Sequence, residues 1–203
     1  MKIICIGRNY IDHAKELNNQ IPKTPVVFLK PDTALLKNGK PFYYPDFSNN
    51  IHYEAELVLK ICKNGKHIDK KFAQKYFEEI SIGIDLTARD IQKECKEKGL
   101  PWERAKAFDG SAIIGSFINK KDLNNPNEVL FNLNINNISV QKGNSRDMLF
   151  SLDEIISDVS KFISLKQGDL IFTGTPAGVG PINKGDNLEG FIEDKALLLC
   201  EIR

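Results

Sequence analysis

The stretch Ile51-His52-Tyr53-Glu54-Ala55-Glu56-Leu57-Val58-Leu59 decides the fold class, because its side chains alternate between two faces. Successive residues of a β-strand point to opposite sides, so residues 52, 54, 56 and 58 share one face and residues 53, 55, 57 and 59 share the other. The second face is apolar or aromatic throughout, whereas the first carries Glu54 and Glu56. We therefore expect a β-strand with a core-facing side and a side on which two carboxylates lie close together.

Turn-forming and helix-breaking residues divide the rest of the chain into short elements. We expect further strands at residues 1–7, 80–84, 112–118, 129–135, 137–142, 170–174 and 196–202. We expect helices at residues 10–17, 70–79, 87–98 and 151–165. Many short strands with three or four helices indicate an α+β, mainly β fold, and the strand–helix alternation is too irregular for a doubly wound sheet.

Three local signals support these boundaries. Ser151 and Glu154 have the spacing of a capping box, in which each side chain bonds the other residue's backbone N–H at the start of a helix. Gly99 and Pro101 follow residues 87–98, where a glycine and a later proline end a helix. The Asn64-Gly65 pair predicts a tight turn.

The composition is that of one structured domain. The chain has 203 residues, of which 41% are hydrophobic and 27% charged, and this argues against disorder. We expect a single domain over residues 1–203, in which the proline-rich N-terminal segment, about residues 1–50, forms a flap or lid. The formal net charge of +1, without long single-sign runs, gives no electrostatic reason to expect nucleic acid or an anionic membrane as a partner.

The four cysteines are scattered along the chain and favour a reducing compartment. They form no CxxC pair, and a chain of this length does not need disulfides, so we expect free thiols. The N-terminal apolar run is too short for a signal peptide, and no apolar run approaches the ~20 residues that cross a bilayer. We therefore expect a cytoplasmic protein.

Glu54 and Glu56 are the first candidates for chemistry. If their shared face is buried, repulsion and desolvation disfavour two ionised carboxylates unless a divalent cation binds them. Asp85 stands where an apolar strand ends and a helix begins, and it would supply a third oxygen ligand. Three carboxylates without clustered Cys or His favour Mg²⁺ or Mn²⁺ over zinc. The alternative is a solvent-facing polar stripe, with Asp85 as a helix cap.

Two pairs of polar side chains lie at helical spacing. His13 and Glu16 are three residues apart, and in that arrangement a carboxylate orients an imidazole to act as a general base on water. Arg89 and Gln92 have the same spacing on another predicted helix and would bind a carboxylate. Both pairs have the simpler alternative of solvated surface residues.

The glycine-rich stretch from residue 168 to residue 181 is a further candidate, because such turns let backbone N–H groups approach an anion. It matches neither GxGxxG nor GxxxxGK[ST], so it does not indicate a nucleotide. Two tight turns without a ligand are the alternative.

Together these segments resemble the fumarylacetoacetate hydrolase family, and within it the short acylpyruvase or oxaloacetate decarboxylase-like branch. The stretches that carry the resemblance are Gly7-Arg8-Asn9-Tyr10 with His13 and Glu16, Phe28-Leu29-Lys30-Pro31, His52-Tyr53-Glu54-Ala55-Glu56-Leu57, Asp85-Leu86-Thr87-Ala88-Arg89-Asp90, Lys98-Gly99-Leu100-Pro101-Trp102, Lys106 with Phe108-Asp109-Gly110, and Gly174-Thr175-Pro176 through Gly180-Pro181. Their order and spacing cover nearly the whole chain, which makes the resemblance specific. One departure is Val58-Leu59, where a glycine often follows in the family.

The resemblance implies a mixed β roll with a few peripheral helices, like the C-terminal domain of the family's longer members, and a homodimer. It also implies a site that binds Mg²⁺ or Mn²⁺ and a small 2-oxo acid or diacid. The implied residues are Glu54, Glu56 and Asp85 as metal ligands, Lys106 as the active-site lysine, His13 and Glu16 as the water-activating dyad, and Arg89, Gln92 and Thr175 as the lining of the 2-oxo acid pocket.

The implied activity is that of a metal-dependent hydrolase, which cleaves a C–C bond of an acylpyruvate-type 2,4-dioxo acid through a metal-stabilised pyruvate enolate. The same site would support oxaloacetate decarboxylation or tautomerisation. It would also support isomerisation of a hydroxymuconate-type diacid such as 2-hydroxyhepta-2,4-diene-1,7-dioate. A non-catalytic protein that binds a metal or a ligand on the same fold is a further alternative.

Overall fold

The computed structural model describes residues 1–16, 20–125 and 128–203. The strands in chain order are β1 (Ile3–Gly7), β2 (Val26–Lys30), β3 (Leu35–Lys37), β4 (Ile51–Tyr53), β5 (Ala55–Ile61), β6 (Phe77–Asp85), β7 (Thr87–Ala88), β8 (Ala112–Ile114), β9 (Ile118–Asn119), β10 (Leu130–Ile135), β11 (Ile138–Asn144), β12 (Leu170–Phe172), β13 (Gly180–Pro181), β14 (Asn187–Ile192) and β15 (Lys195–Glu201). The α-helices are α1 (Ile11–Glu16), α2 (Arg89–Lys98), α3 (Glu103–Lys106) and α4 (Leu152–Phe162). Short 3₁₀ helices cover Asp32–Ala34, Lys70–Lys75, Lys120–Asp122 and Ser145–Asp147. The predicted mainly β fold with a few peripheral helices is confirmed.

The main sheet is mixed and has eight strands, in the order β2-β1-β12-β5-β6-β8-β3 with β9 paired to β6. The pairs β1–β12 and β3–β8 are parallel, and the other pairs are antiparallel. The central strand β5 is buried along almost its whole length, on both faces of the sheet. Because β5 and β6 are both central, their ends place side chains deep inside the molecule.

A second sheet, β11-β10-β14-β15, packs against the main sheet and encloses the largest hydrophobic cluster. The contact is close at Gly190 on β14, where an added Cβ would lie 3.0 Å from the Cγ2 of Ile82 on β6. A third, small sheet, β13-β4-β7, closes one end. The core therefore lies between the two large sheets and under α4.

The continuous strand predicted over residues 51–59 is interrupted at Glu54. Residues 51–53 form β4 in the small sheet, and the chain then enters the main sheet as β5 at Ala55. The backbone oxygen of Glu54 accepts from the backbone N–H of Asp85 at 2.8 Å. The prediction that His52 shares a continuous strand face with the two glutamates is therefore wrong, because this switch between sheets separates them.

The helix predicted at residues 70–79 is also wrong in its second half. A 3₁₀ helix covers Lys70–Lys75, and β6 begins at Phe77. Phe77 is buried and pairs with Ile61 on β5, so cross-strand pairing outweighs the helical propensity of the polar residues.

The other predicted helices are present with small shifts at their ends. Helix α2 starts at Arg89, two residues later than expected, because Thr87–Ala88 form β7, and it ends at Gly99, which has φ +62°. The capping box of Ser151 and Glu154 starts α4 as predicted. Helix α1 covers Ile11–Glu16, and the predicted stop at Asn18-Asn19 lies outside the described residues.

The N-terminal segment is partly built into the main sheet, since β1 lies between β2 and β12. A flap formed by residues 1–50 stays a prediction, and β1 would be its fixed base. All four cysteines have free thiols, as expected. Among the described residues, no helix is long and apolar enough to cross a membrane.

Candidate active site

Three buried carboxylates meet where β5 begins and β6 ends. Glu54 lies at the break between β4 and β5, Glu56 lies on β5, and Asp85 is the last residue of β6. Their exposed fractions are 6%, 2% and 1%, and one oxygen from each lies within 4.8 Å of the others. The structure thus brings together the three residues that the sequence analysis assigned to a metal.

Gly174 holds Glu56 in place from the neighbouring loop. Its backbone N–H donates to Glu56 Oε2 at 2.7 Å. Gly174 has φ +101°, and an added Cβ would lie 2.6 Å from the Cβ of Asn9, so only glycine fits. Asn9 in turn is fully buried and donates to the backbone oxygen of Thr173 at 2.8 Å.

Two buried lysines neutralise the carboxylates. Lys106 Nζ lies 2.8 Å from Glu54 Oε2 and 2.7 Å from Asp85 Oδ2. Lys30 Nζ lies 2.7 Å from Asp85 Oδ1, donates to Ser111 Oγ at 2.9 Å and also contacts the backbone oxygen of Lys106. Lys30 belongs to a quoted sequence motif, but the sequence analysis gave it no role, because its complete burial follows only from the fold.

The electrostatics of the three carboxyl groups are unequal. Burial, then the charges of Asp85 and Glu54, raise the pKa of Glu56 well above its usual value. Burial also acts to raise the pKa of Glu54, but Lys106 and Arg89 outweigh it, and the result is a lowered pKa. For Lys106, burial acts to lower the pKa and the charges of Asp85 and Glu54 raise it above the ordinary lysine value. Glu56 is therefore the carboxyl group that lacks a sufficient positive charge beside it.

These residues fit Mg²⁺ or Mn²⁺. The donor set is entirely carboxylate oxygen, which hard divalent cations prefer. Asp85 Oδ1, although close to Lys30, accepts no hydrogen bond of acceptable geometry. A divalent cation would use such an oxygen and would also relieve the crowding that raises the pKa of Glu56.

His13 and Glu16 form the predicted dyad beside this cluster. His13 Nδ1 lies 3.1 Å from Glu16 Oε2, and the histidine is only 4% exposed. Glu16 Oε1 accepts from the backbone N–H of Gly178 at 3.0 Å, so the glycine-rich loop fixes the carboxylate. His13 lines the same cavity as the three carboxylates.

Arg89 and Gln92 also join the site from one face of α2. Arg89 Nη2 lies 2.6 Å from Glu54 Oε1, and Arg89 Nη1 donates to Gln92 Oε1 at 2.8 Å. The helical spacing noted in the sequence thus becomes a direct contact. Much of the guanidinium is committed to Glu54 and Gln92.

Gln141 is a site-supporting residue that sequence reasoning missed. Its Oε1 accepts from the backbone N–H of Ala55, between the two glutamates, at 2.9 Å. Its Nε2 donates to Thr175 Oγ1 at 2.6 Å and to the Pro176 backbone oxygen at 2.8 Å. A β-bulge at Val140, where Leu133 pairs with Gln141 and the next residue pairs with Ser139, accompanies this position. No local sequence signal predicts that bulge.

All the predicted site residues line one narrow cavity except Glu16, which reaches it through His13. The cavity has a volume of about 30 Å³. Its lining comprises Ile6, Gly7, Arg8, His13, Phe28, Glu54, Glu56, Asp85, Arg89, Gln92, Lys96, Trp102, Lys106 and Thr175. Small-molecule sites usually have ~300–1,000 Å³, so a substrate needs some of these side chains to move.

Known proteins match this chain over nearly its whole length, in sequence and in structure. A family model described as Fumarylacetoacetate (FAA) hydrolase C-terminal matches residues 2–203. "Oxaloacetate tautomerase FAHD1, mitochondrial" of Mus musculus is 44% identical over 191 residues, which are 94% of this chain and 86% of that protein. Fumarylpyruvate hydrolase from Pseudomonas aeruginosa, solved in complex with Mn²⁺ and pyruvate, superposes with a TM-score of 0.93 at 34% identity, over 100% of this chain and 89% of that one. The 2-hydroxyhepta-2,4-diene-1,7-dioate isomerase from Mycobacterium marinum superposes with a TM-score of 0.86 at 32% identity, over 99% of this chain and 73% of that one.

Proposed function

The chain belongs to the fumarylacetoacetate hydrolase family, and on that premise we propose that it is a divalent-metal-dependent enzyme that forms the enolate of a 2-oxo acid. The observation that carries the proposal is the placement of a buried carboxylate triad and a histidine–glutamate dyad around one cavity. We propose that residues 1–203 act as one catalytic domain, in agreement with the family match over residues 2–203.

Glu54, Glu56 and Asp85 would hold Mg²⁺ or Mn²⁺. Such an ion, when bound, supplies Lewis-acid stabilisation of negative charge on the carboxylate and 2-oxo oxygens of the substrate. The presence of Mn²⁺ and pyruvate in the Pseudomonas aeruginosa relative supports this choice of cation and of ligand class.

Lys106 would stabilise the negative charge that develops on the 2-oxo oxygen. Its ammonium group already lies between Glu54 and Asp85, and burial in a water-poor site strengthens its field. Gln92 and Thr175 would donate to the substrate carboxylate, and Arg89 would orient Gln92 through their hydrogen bond.

His13 would act as the general base, oriented by Glu16. In C–C bond hydrolysis it would take a proton from water, whose oxygen adds to the distal carbonyl of an acylpyruvate. The bond between that carbonyl carbon and C3 then breaks, its electron pair enters the pyruvate enolate, and C3 is finally protonated. The products are pyruvate and a carboxylic acid.

Oxaloacetate tautomerisation is the second candidate. The 44% identity to an oxaloacetate tautomerase supports it about as well as the fumarylpyruvate hydrolase structure supports hydrolysis. There the same base would remove a proton from C3, and a proton would return to the enolate oxygen, with no water added and no bond between carbons broken. Decarboxylation of oxaloacetate would form the pyruvate enolate by loss of carbon dioxide, and isomerisation of a hydroxymuconate-type diacid would move a proton on such an enolate.

Direct assays separate these reactions. Pyruvate release from acetylpyruvate reports hydrolysis, release from oxaloacetate reports decarboxylation, and loss of the oxaloacetate enol absorbance reports tautomerisation. Each assay needs Mg²⁺-loaded protein, chelated protein and a metal-only control, because oxaloacetate reacts slowly without enzyme.

A homodimer and a cytoplasmic location are further proposals. Light scattering tests the first, and cell fractionation tests the second.

A further inference from the structure

Two cationic side chains in the cavity lack an anionic partner. Arg89 forms an ion pair with Glu54, and Lys106 forms ion pairs with Glu54 and Asp85. Arg8 and Lys96 line the same cavity, and in the described parts of the chain neither side chain forms an ion pair or a hydrogen bond. The cavity thus has two charged groups that the proposed chemistry does not use.

Lys96 belongs to the face of α2 that forms the site. It lies seven residues after Arg89 and four residues after Gln92, so all three side chains share one face of the helix. Its ammonium group lies 5.8 Å from the centre of the Trp102 ring, which also lines the cavity. Lys93 on the same helix does not line the cavity, and its side chain is 79% exposed.

Arg8 is held in an uncommon backbone conformation next to the site. It has φ +58°, which non-glycine residues seldom adopt and which often marks functional positions. The following residue, Asn9, fixes this backbone, because it is fully buried and hydrogen-bonds Phe150 and Thr173. The buried Asn9 therefore anchors the turn from which the Arg8 side chain reaches the cavity.

The two cations also act on each other. Partial burial, Arg8 and then Arg89 lower the pKa of Lys96, which means that positive charge is concentrated at this mouth of the cavity. An anion bound between Arg8 and Lys96 would relieve that repulsion, and arginine is well suited to a carboxylate because its donors match two oxygens.

We propose that Arg8 and Lys96 bind a second carboxylate at the far end of the substrate, so that the site selects 2-oxo diacids over 2-oxo monoacids. The inference rests on the proposed function, in which the first carboxylate and the 2-oxo oxygen lie at the triad. Oxaloacetate and fumarylpyruvate are diacids, whereas acetylpyruvate is a monoacid and would leave Arg8 and Lys96 without a partner.

The test compares two unreactive ligands that differ only at the far end. Malate carries a distal carboxylate, and 2-hydroxybutyrate carries a methyl group in its place. Trp102 is the sole tryptophan and lines the cavity, so its fluorescence reports binding to Mg²⁺-loaded protein without any turnover. We expect the wild type to prefer malate by about tenfold or more, the size of one charged hydrogen bond.

The variants Arg8→Gln and Lys96→Gln should each reduce that preference severalfold, mainly by weakening malate binding. Arg8→Lys should retain part of it, and Lys93→Gln, at an exposed lysine of α2 that does not line the cavity, should retain all of it. The thermal midpoint of each variant checks that it is folded. In turnover, the same two glutamine variants should raise KM for oxaloacetate and leave KM for acetylpyruvate unchanged.

Equal affinity for the two acids in the wild type, or an unchanged preference in both glutamine variants, overturns the inference even if 2-oxo monoacids are turned over as proposed. A malate preference that depends on Arg8 and Lys96, in a protein that turns over no 2-oxo acid, supports the second carboxylate site and overturns the proposed function instead.

Discussion

Gln141 Nε2 donates a hydrogen bond to Thr175 Oγ1 at 2.6 Å, and through it the second sheet controls a hydroxyl group in the cavity. The Thr175 oxygen accepts this bond, and its own hydrogen donates to the Pro176 backbone oxygen at 3.5 Å, a long bond that a ligand oxygen would replace. The other end of the same amide accepts from the backbone N–H of Ala55. One side chain therefore connects the strand that carries Glu54 and Glu56 to the loop that carries Thr175.

Replacing Gln141 should weaken catalysis without unfolding the protein. Gln141→Met keeps the length of the side chain but loses all three hydrogen bonds, and we expect kcat/KM to fall about 10- to 100-fold, the usual effect of losing a group that orients ligands. Gln141→Glu is the matched variant, because it still accepts from Ala55 but no longer donates to Thr175. The double variant of Gln141→Met with Thr175→Val checks that Gln141 acts through Thr175. Its loss of kcat/KM should be smaller than the sum of the two single losses, expressed as free energies. Fully additive losses would contradict it.

Lys106→Met should destabilise the metal-free protein more than the metal-loaded one. The substitution leaves Glu54 and Asp85 buried with less neutralising charge, and breaking such a buried pair costs ~3–5 kcal/mol. Thermal unfolding with and without Mg²⁺ measures the difference. The rise in the thermal midpoint on adding Mg²⁺ should be larger for Lys106→Met than for the wild type. Lys98→Met, which breaks the exposed pair with Glu94, is the control and should leave the thermal midpoint nearly unchanged, because solvent screens an exposed ion pair. An unchanged metal-free midpoint in Lys106→Met would refute this role.

His13→Ala should separate the reaction classes. If His13 activates water, acetylpyruvate hydrolysis should fall by ~10²–10⁴-fold, the usual contribution of a general base. Oxaloacetate decarboxylation needs no water attack and should lose less. Pyruvate release from both substrates measures this, with the exposed His67→Asn as control. Equal losses on the two substrates would exclude the assigned role.

The capping box of α4 should make the free energy of unfolding weakly dependent on pH in the acid range. Lys70 and Ser151 lower the pKa of Glu154 to about 2, so its charged form is favoured in the folded state. A lowered folded pKa contributes stability that is complete above the unfolded value, ~4.3, and is lost as the pH falls toward 2. Ser151→Ala should cost ~1 kcal/mol at pH 7. The stability difference between the wild type and Glu154→Gln, measured by denaturant unfolding, should shrink between pH 5 and pH 2; a constant difference would contradict the assignment.

The sequence predicted the parts of the site that are close along the chain. The pairs His13–Glu16 and Arg89–Gln92 are three residues apart, and helix geometry alone brings each pair together. The strand pattern indicates the three carboxylates as metal candidates, with a polar stripe as the alternative. The family resemblance decides between these and adds Lys106, and the fold places all four residues in one cluster.

The sequence did not predict contacts that depend on distant pairing. Lys30 reaches Asp85 from β2, and Gln141 reaches Ala55 and Thr175 from a bulged strand of the other sheet. The break at Glu54 was missed for the same reason: alternation predicts an extended chain, but it does not predict which sheet each half of the chain will join.

The most direct test of the account is the dependence of 2-oxo acid turnover on a divalent cation. Acetylpyruvate and oxaloacetate are each assayed with Mg²⁺-loaded, Mn²⁺-loaded and chelated protein, with Glu56→Gln as the variant that removes one proposed ligand. The account predicts that turnover of at least one substrate requires the cation, is lost with chelator, returns when the cation is restored and is strongly reduced in Glu56→Gln. Turnover that is the same in chelated and loaded protein, or that is absent on both substrates, would contradict it.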